Sequence, residues 1–247
     1  GRAPMTPTAA ATGNRLLTAL APGELDRIAP HLERIELRRG AILHEPPGEL
    51  AEVWFPEGCV ISVVVVVSGG GLAESAVIGR EGVAGLADAL GSRRASARCL
   101  VLVPGPALRL ELDRLAAAHE ASPILRRLLA WYVQAFLAEV MVSAACHALH
   151  AAATRLARWL LLVQDRAGLG AELPLTQEFL ALMLGLQRTT VTETASALQR
   201  AGLIAYRRGR VEIRDRPGLE AAACGCYRSI SDAHAALASA IESRDGG

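Results

Sequence analysis

Lysine is missing from this chain. All 26 basic side chains are arginine, set against 25 acids for a net charge of +1. The bias reads first as genome base composition, and it means that every phosphate contact can be bidentate. Cysteine is sparse: Cys59, Cys99, Cys146, Cys224 and Cys226 are scattered, form no CxxC and give no disulfide framework. The pair Cys224 and Cys226 with a distant His234, or His147 with His150, is too little to mark a metal site, and none is expected. Long apolar runs are missing as well. The longest candidate, residues 60–67, suits a buried strand and falls far short of the ~20 residues that cross a bilayer. No signal-peptide pattern is visible, so cytoplasmic residence without a membrane partner is expected. No nucleophile–base pair, phosphate loop or paired-carboxylate motif stands out, which leaves an enzyme without support.

At 247 residues, 51% hydrophobic and 21% charged, the chain has length and apolar content for two domains. Its charge is uneven. Residues 1–120 hold 12 Arg and 14 acids, whereas residues 121–247 hold 14 Arg and 11 acids. Attraction for a polyanion is therefore local to the second half.

Residues 175–213 carry the strongest signal. From Gln177, the apolar positions Leu180, Ala181 and Leu184 share one face at a 3.6-residue period. Thr176 suits the N-cap, and Gly185 suits a turn that needs a positive φ. A second helix over residues 187–200 has Val191, Ala195 and Leu198 on one face. Its opposite face holds Arg188, Thr189, Thr192 and Glu193, with Gln187 and Thr190 beside them. This is a helix-turn-helix whose second helix can enter a major groove. A hairpin is expected over residues 206–213 around Gly209, and its Arg207, Arg208 and Arg210 suit phosphate contact. The expected DNA-facing set is completed by Thr176 and Gln177, and the expected partner is double-stranded DNA.

Ahead of this segment the pattern changes twice. Residues 1–14 are expected to be disordered, with Gly-Arg-Ala-Pro ahead of Met5 reading as an appended stretch. Residues 16–32 read as one or two short helices. Residues 35–112 read as short strands with turns at Gly and Pro, which argues for a barrel or roll. A helix of about 25 residues follows from Ser122 and has two apolar stripes. One holds Leu125, Leu129, Tyr132 and Phe136 and continues through Glu139, Ser143 and Cys146. The other holds Val133, Leu137, Val140 and Ala144. One stripe can lie on the strand domain, and the other calls for a second copy of the chain across a two-fold axis. Leu125, Leu129, Tyr132, Phe136 and Val140 are the expected dimer contacts. Separate helices are expected over residues 150–164 and 221–239.

A β-rich first half, a long apolar helix and a C-terminal winged helix-turn-helix, in this order, resemble the Crp/Fnr family of bacterial transcription regulators. The segments Ile78-Gly79-Arg80-Glu81-Gly82 and Val103-Pro104-Gly105-Pro106 are similar to pieces of such a sensor domain. The resemblance implies an α+β fold divided into a disordered N-terminus (1–14), a cyclic-nucleotide-binding-type β-roll (15–120), a dimerisation helix (121–149) and a winged helix-turn-helix domain (150–247). It implies a homodimer on a near-palindromic operator, with RNA polymerase as a further partner. The alternative is an architectural or interaction-module DNA-binding dimer that has lost its ligand.

The sequence departs from the family in two places. Where members read bases with Arg, Glu and Arg, this chain has Arg188, Thr189 and Glu193. Members that bind cyclic AMP use Gly-Glu and Arg-Ser or Arg-Thr pairs, but here Glu81 and Ser96 each stand one place late, behind Arg80 and Ala95. A one-residue slip sends a strand side chain to the opposite face, so cyclic AMP is not the expected effector. The candidate contacts for some other anion are Arg80, Glu81, Arg93, Arg94 and Ser96. Iron–sulfur sensing of the family type lacks its N-terminal cysteines, since residues 1–58 hold none. No cofactor is expected.

Overall fold

The computed structural model describes residues 12–68, 71–168, 170, 172–207 and 209–242. Helices α1 (Arg15–Thr18) and α2 (Pro22–Ile28) lead into strands β1 (Glu33–Leu37), β2 (Ile42–His44), β3 (Glu52–Pro56), β4 (Val60–Val66) and β5 (Leu72–Ile78). The short helix α3 (Leu86–Leu90) separates these from β6 (Arg98–Val103) and β7 (Gly105–Glu111). Helices α4 (Leu112–Ala121), α5 (Pro123–Leu149) and α6 (Ala152–Ala167) follow. The C-terminal part is β8 (Glu172–Leu173), α7 (Gln177–Leu184), α8 (Arg188–Arg200), β9 (Ile204–Arg207), β10 (Arg210–Ile213), α9 (Arg216–Ala222) and α10 (Cys226–Glu242).

The roll is two antiparallel sheets, β1-β7-β3 and β2-β6-β4-β5. Strand β4 is buried on both faces, and its period of two separates two cores. Ile61 and Val63 point into the roll with Ala76 and Ile78. Val60 and Val64 point the other way and join Val77 and Leu102 beneath α6 and α7. The outer face of this sheet is thus the floor on which the C-terminal part sits.

One stripe of α5 closes the other side of the roll. Leu125, Leu129 and Tyr132 are at most 2% exposed and pack with Leu112 and Leu115 of α4 and with residues of α1 and α2. The expected dimer contacts are corrected by this packing: these three belong to the chain's own core, and Phe136 and Val140 are half-buried against it. The second stripe is only partly open: Val133 and Val140 are half-buried against the same cores, and the open face runs along its outer side, with Leu137 at 53% and Met141 at 59% exposure. Helix α5 is long and apolar enough to cross a membrane by length and composition. Its inner stripe is occupied by protein and contains the buried, ion-paired Glu139.

Two further expectations change. The expected disorder of residues 1–11 lies outside the described residues, but Asn14 is fully buried. Its Nδ2 donates to the Pro56 and Gly82 carbonyls, and its Oδ1 caps α1 by accepting from the Leu17 amide. The single helix expected over residues 221–239 is two, α9 and α10, parted at the extended Ala223 and the poor helix former Gly225.

Between the floor and α6 lies a buried carboxyl. Glu74 accepts from the Ser62 hydroxyl and the Trp159 indole N–H. Burial pushes its pKa up to about 8, against the pull of those two hydrogen bonds and of Arg158. A raised folded pKa means that the native state binds the extra proton. Stability is then greatest below the unfolded value near 4.5 and falls as pH rises to about 8. Glu74→Gln keeps the same hydrogen bonds, because Ser62 can accept from the new amide and donate to the Met183 sulfur at 3.1 Å. Urea titrations are expected to show the variant more stable at pH 8, on the order of 1–3 kcal/mol. A variant tracking the wild type from pH 5 to 8 would mean that Glu74 is charged in the fold.

Candidate nucleic-acid interface

Helices α7 and α8 meet through Leu180, Ala181, Met183 and Leu184 on one side and Val191, Ala195 and Leu198 on the other, all buried. Thr176 caps α7, its hydroxyl accepting from the Phe179 amide at 3.2 Å. Gly185 ends α7 at φ 61°, so the turn uses the left-handed conformation that glycine adopts without strain. Gln187 is the N-cap of α8.

This packing leaves Gln187, Arg188, Thr189, Thr192 and Glu193 exposed on one side, with Thr190 half-buried. Thr192 is held in place: its hydroxyl lies 3.1 Å from Gln177 Oε1 and 2.9 Å from the Arg188 carbonyl. The expected DNA-facing residues of the two helices therefore converge on one surface. Strands β9 and β10 form the wing, with Gly209 at φ 78° in its turn. Arg207 and Arg210 are exposed and directly opposite each other. Arg208 lies outside the described residues. Arg210 also meets Glu172 of β8 at 3.1 Å, an exposed pair that competes weakly with a phosphate.

The helix-turn-helix is seated on the roll. Arg39 stacks over the Phe179 ring at 5.3 Å, and Ser62 of β4 reaches Met183 of α7. A buried polar clasp continues this contact. Arg166 of α6 pairs with Glu139 of α5 at 2.6 and 2.8 Å and with Glu81 at 3.3 Å, and it donates to the Val77 carbonyl. Glu139 also accepts from the Val77 amide at 3.2 Å and meets His234 of α10 at 2.8 Å. Burial pushes the Glu139 carboxyl up, but Arg166 and His234 outweigh it and hold it below the usual carboxylate range.

The segment that resembles a ligand motif serves this clasp. A Cβ at Gly79 would stand 2.5 Å from Arg166 Cβ and 2.6 Å from its carbonyl oxygen, so glycine here permits the close approach of α6. Glu81 accepts from the Gly79 amide at 2.9 Å and faces Arg166. The guanidinium of Arg80 lies against Gly168 at the end of α6.

The other anion candidates are dispersed. Arg93 pairs with Asp113 at 2.8 Å, and Arg94 donates to the Pro47 carbonyl. A cavity between the roll and α5 is lined by Val83, Gly85, Leu86, Asp88, Ser96 and Tyr132 among others, and none of its lining residues is an arginine. Only Ser96 of the candidate set reaches it, and the Ser96 amide donates to Asp88 at 3.0 Å. Gly85 to Asp88, which the sequence reading did not single out, also line this cavity. Gly85 takes φ 85° at the start of α3, and the sequence hint for it is a glycine directly ahead of the apolar Leu86-Ala87.

Residues 154–222 match the family described as the Crp-like helix-turn-helix domain. No curated protein matches the sequence. Among solved structures, a putative transcriptional regulator of the Crp/Fnr family from Eubacterium rectale is similar at TM-score 0.66 and 17% identity, covering 87% of this chain and 99% of that one. The c-di-GMP responsive global regulator CLP of Xanthomonas campestris is similar at TM-score 0.64 and 16% identity, covering 78% and 99%. FixK2 of Bradyrhizobium japonicum is similar at TM-score 0.63 and 17% identity, covering 78% and 98%.

Proposed function

From the premise that this chain carries a Crp-like helix-turn-helix domain within the fold of Crp/Fnr regulators, we propose that it is a dimeric transcription regulator reading a near-palindromic operator in the cytoplasm. The observation that carries this reading is the exposed face of α8 beside an arginine-bearing wing. Arg188 and Thr189 offer donors and Glu193 an acceptor on the exposed face of α8, and Arg207 and Arg210 are exposed on the wing for the backbone. Glu193 fits a cytosine amino group, which donates in the major groove. The test is a titration of duplex DNA at several salt concentrations. Arg207→Ala and Arg210→Ala should weaken all sequences alike, and each should flatten the salt dependence by about one unit for the phosphate it no longer neutralises. An unchanged slope would remove the wing from the interface.

Dimerisation is assigned to the open face of α5. Ala130, Gln134, Leu137, Met141, Ala144 and Ala148 are exposed at alternating spacings of four and three, a pattern that suits the seam of a two-helix coiled coil with one polar position. Wild-type protein is expected to sediment as a dimer at micromolar concentration. Leu137→Glu should yield monomers, because it would bury facing carboxylates in the seam. A monomeric wild type would contradict the assignment.

Cyclic AMP is not proposed as the effector. The cavity is lined by the Asp88 carboxylate and by no arginine, Arg93 and Arg94 are held by Asp113 and the Pro47 carbonyl, and Arg80 lies against Gly168 at the end of α6.

A further inference from the structure

The fold gathers cysteines that stand far apart in the sequence. Cys146 lies one turn before the end of α5, and His150 is the C-cap of that helix. Cys224 lies in the link between α9 and α10, and Cys226 begins α10. The spacing of four puts Cys146 and His150 on the same side of the helix end. One ligand atom from each of the four residues falls within 4.8 Å of every other. Cys146 Sγ is 3.5 Å from Cys224 Sγ, and Cys226 Sγ is 3.6 Å from His150 Nδ1.

The Cys146–Cys224 and Cys226–His150 distances match edges of a coordination tetrahedron. Zinc bonds of about 2.3 Å to sulfur and about 2.0 Å to nitrogen set two sulfurs about 3.8 Å apart and a sulfur and nitrogen about 3.5 Å apart. An iron–sulfur cluster places iron and sulfide between its ligands and needs them farther apart. The surroundings also call for negative charge. Arg155 and Arg158 of α6 are 8% and 3% exposed; their described hydrogen bonds go to neutral acceptors, the Leu184 carbonyl and the Ser143 hydroxyl, and the carboxyl that acts on Arg158, Glu74, is the one whose pKa burial raises. The Nε of each has no hydrogen-bond partner. Both guanidinium groups interact electrostatically with Cys146. Three thiolates and a neutral imidazole around a divalent ion carry a net charge of −1, which would answer these buried cations.

We propose that Cys146, His150, Cys224 and Cys226 form a closed tetrahedral site for one zinc-class divalent ion. Binding displaces the three thiol protons to solvent and forms three metal–sulfur bonds and one metal–nitrogen bond. The ion ties the α5–α6 turn to the start of α10. Resting on the DNA-binding reading, its occupancy would fix how the helix-turn-helix is carried on α5.

The test needs no DNA. Full-length protein, reduced and stripped with chelator, is titrated with Zn2+ and separately with Co2+. The expected result is one ion per chain, a thiolate-to-cobalt charge-transfer band with tetrahedral d–d bands, and a Zn2+-dependent rise in Tm. Cys224→Ser/Cys226→Ser should lose all three, and His150→Ala should weaken binding and alter the cobalt spectrum. Cys59→Ser and Cys99→Ser, which change buried thiols of the roll, should leave them intact. No binding by the reduced protein, binding that survives in the double variant, iron and sulfide in the purified protein, or a Cys146–Cys224 disulfide in place of metal would each overturn the site. Loss of DNA binding with metal binding intact would instead count against the proposed function alone.

Discussion

Arg166→Ala is expected to lower the free energy of unfolding by about 3–5 kcal/mol, the cost of leaving a buried charge without its partner. Arg166 and Glu139 are 5% and 1% exposed, so water cannot take the place of the guanidinium. The variant would strand the Glu139 carboxylate with only His234 and the Val77 amide, and Glu81 with only the Gly79 amide. It would also release α6 from the edge of β5, since the Val77 carbonyl loses its donor. Arg166→Lys should fall between, because an ammonium cannot match the fork that meets both Glu139 oxygens.

The pH dependence has a definite sign. The folded pKa of Glu139 is depressed, so its contribution is present above the unfolded value and is lost as pH falls through the folded one. In Arg166→Ala the pull of the guanidinium is gone and only that of His234 opposes burial, so protonation relieves the stranded carboxyl. The deficit relative to wild type should therefore narrow in acid. Urea titrations from pH 4.5 to 8 measure both effects. A loss under about 1 kcal/mol would place the clasp in the class of exposed ion pairs.

Glu193→Ala is expected to relax base preference at one pair in each half-site, with a loss of roughly 1–3 kcal/mol in discrimination. The side chain is exposed on α8, on the side away from Val191, Ala195 and Leu198. As an acceptor it can take a hydrogen bond from a cytosine amino group but cannot meet the acceptors of a guanine edge. Arg188→Ala should cost affinity as well as discrimination, because a guanidinium can span guanine O6 and N7. Competition titrations over single-base operator variants separate the two. An unchanged motif for Glu193→Ala would mean that this residue reads no base and only shapes the helix.

The order of elements was legible because each rests on local signals. The apolar face of α7, the turn at Gly185 and the threonine cap are all set within a few residues. The two stripes of α5 were legible for the same reason. Which stripe the roll would take was not, since both are apolar, and the buried stripe is the one that contains Glu139 and Ser143. Only the long-range placement of Arg166, 27 residues away, reveals why a carboxylate can lie there. The same limit hid the role of Gly79 to Glu81. Arg80 standing between the glycine and the carboxylate already breaks the register of a ribose contact, but only the approach of α6 shows what Gly79 and Glu81 serve. The cysteine cluster was hidden by a separation of 78 residues between Cys146 and Cys224.

Binding-site selection from a pool of randomised duplexes tests the central claim most directly. The expected result is enrichment of one sequence with two-fold symmetry. Its half-site centres should lie about one helical turn, roughly 10–10.5 base pairs, apart, because in the proposed dimer two copies of α8 related by a dyad would enter successive major grooves. A pool that fails to converge, with equal affinity for random duplex and for the enriched sequence, would contradict it.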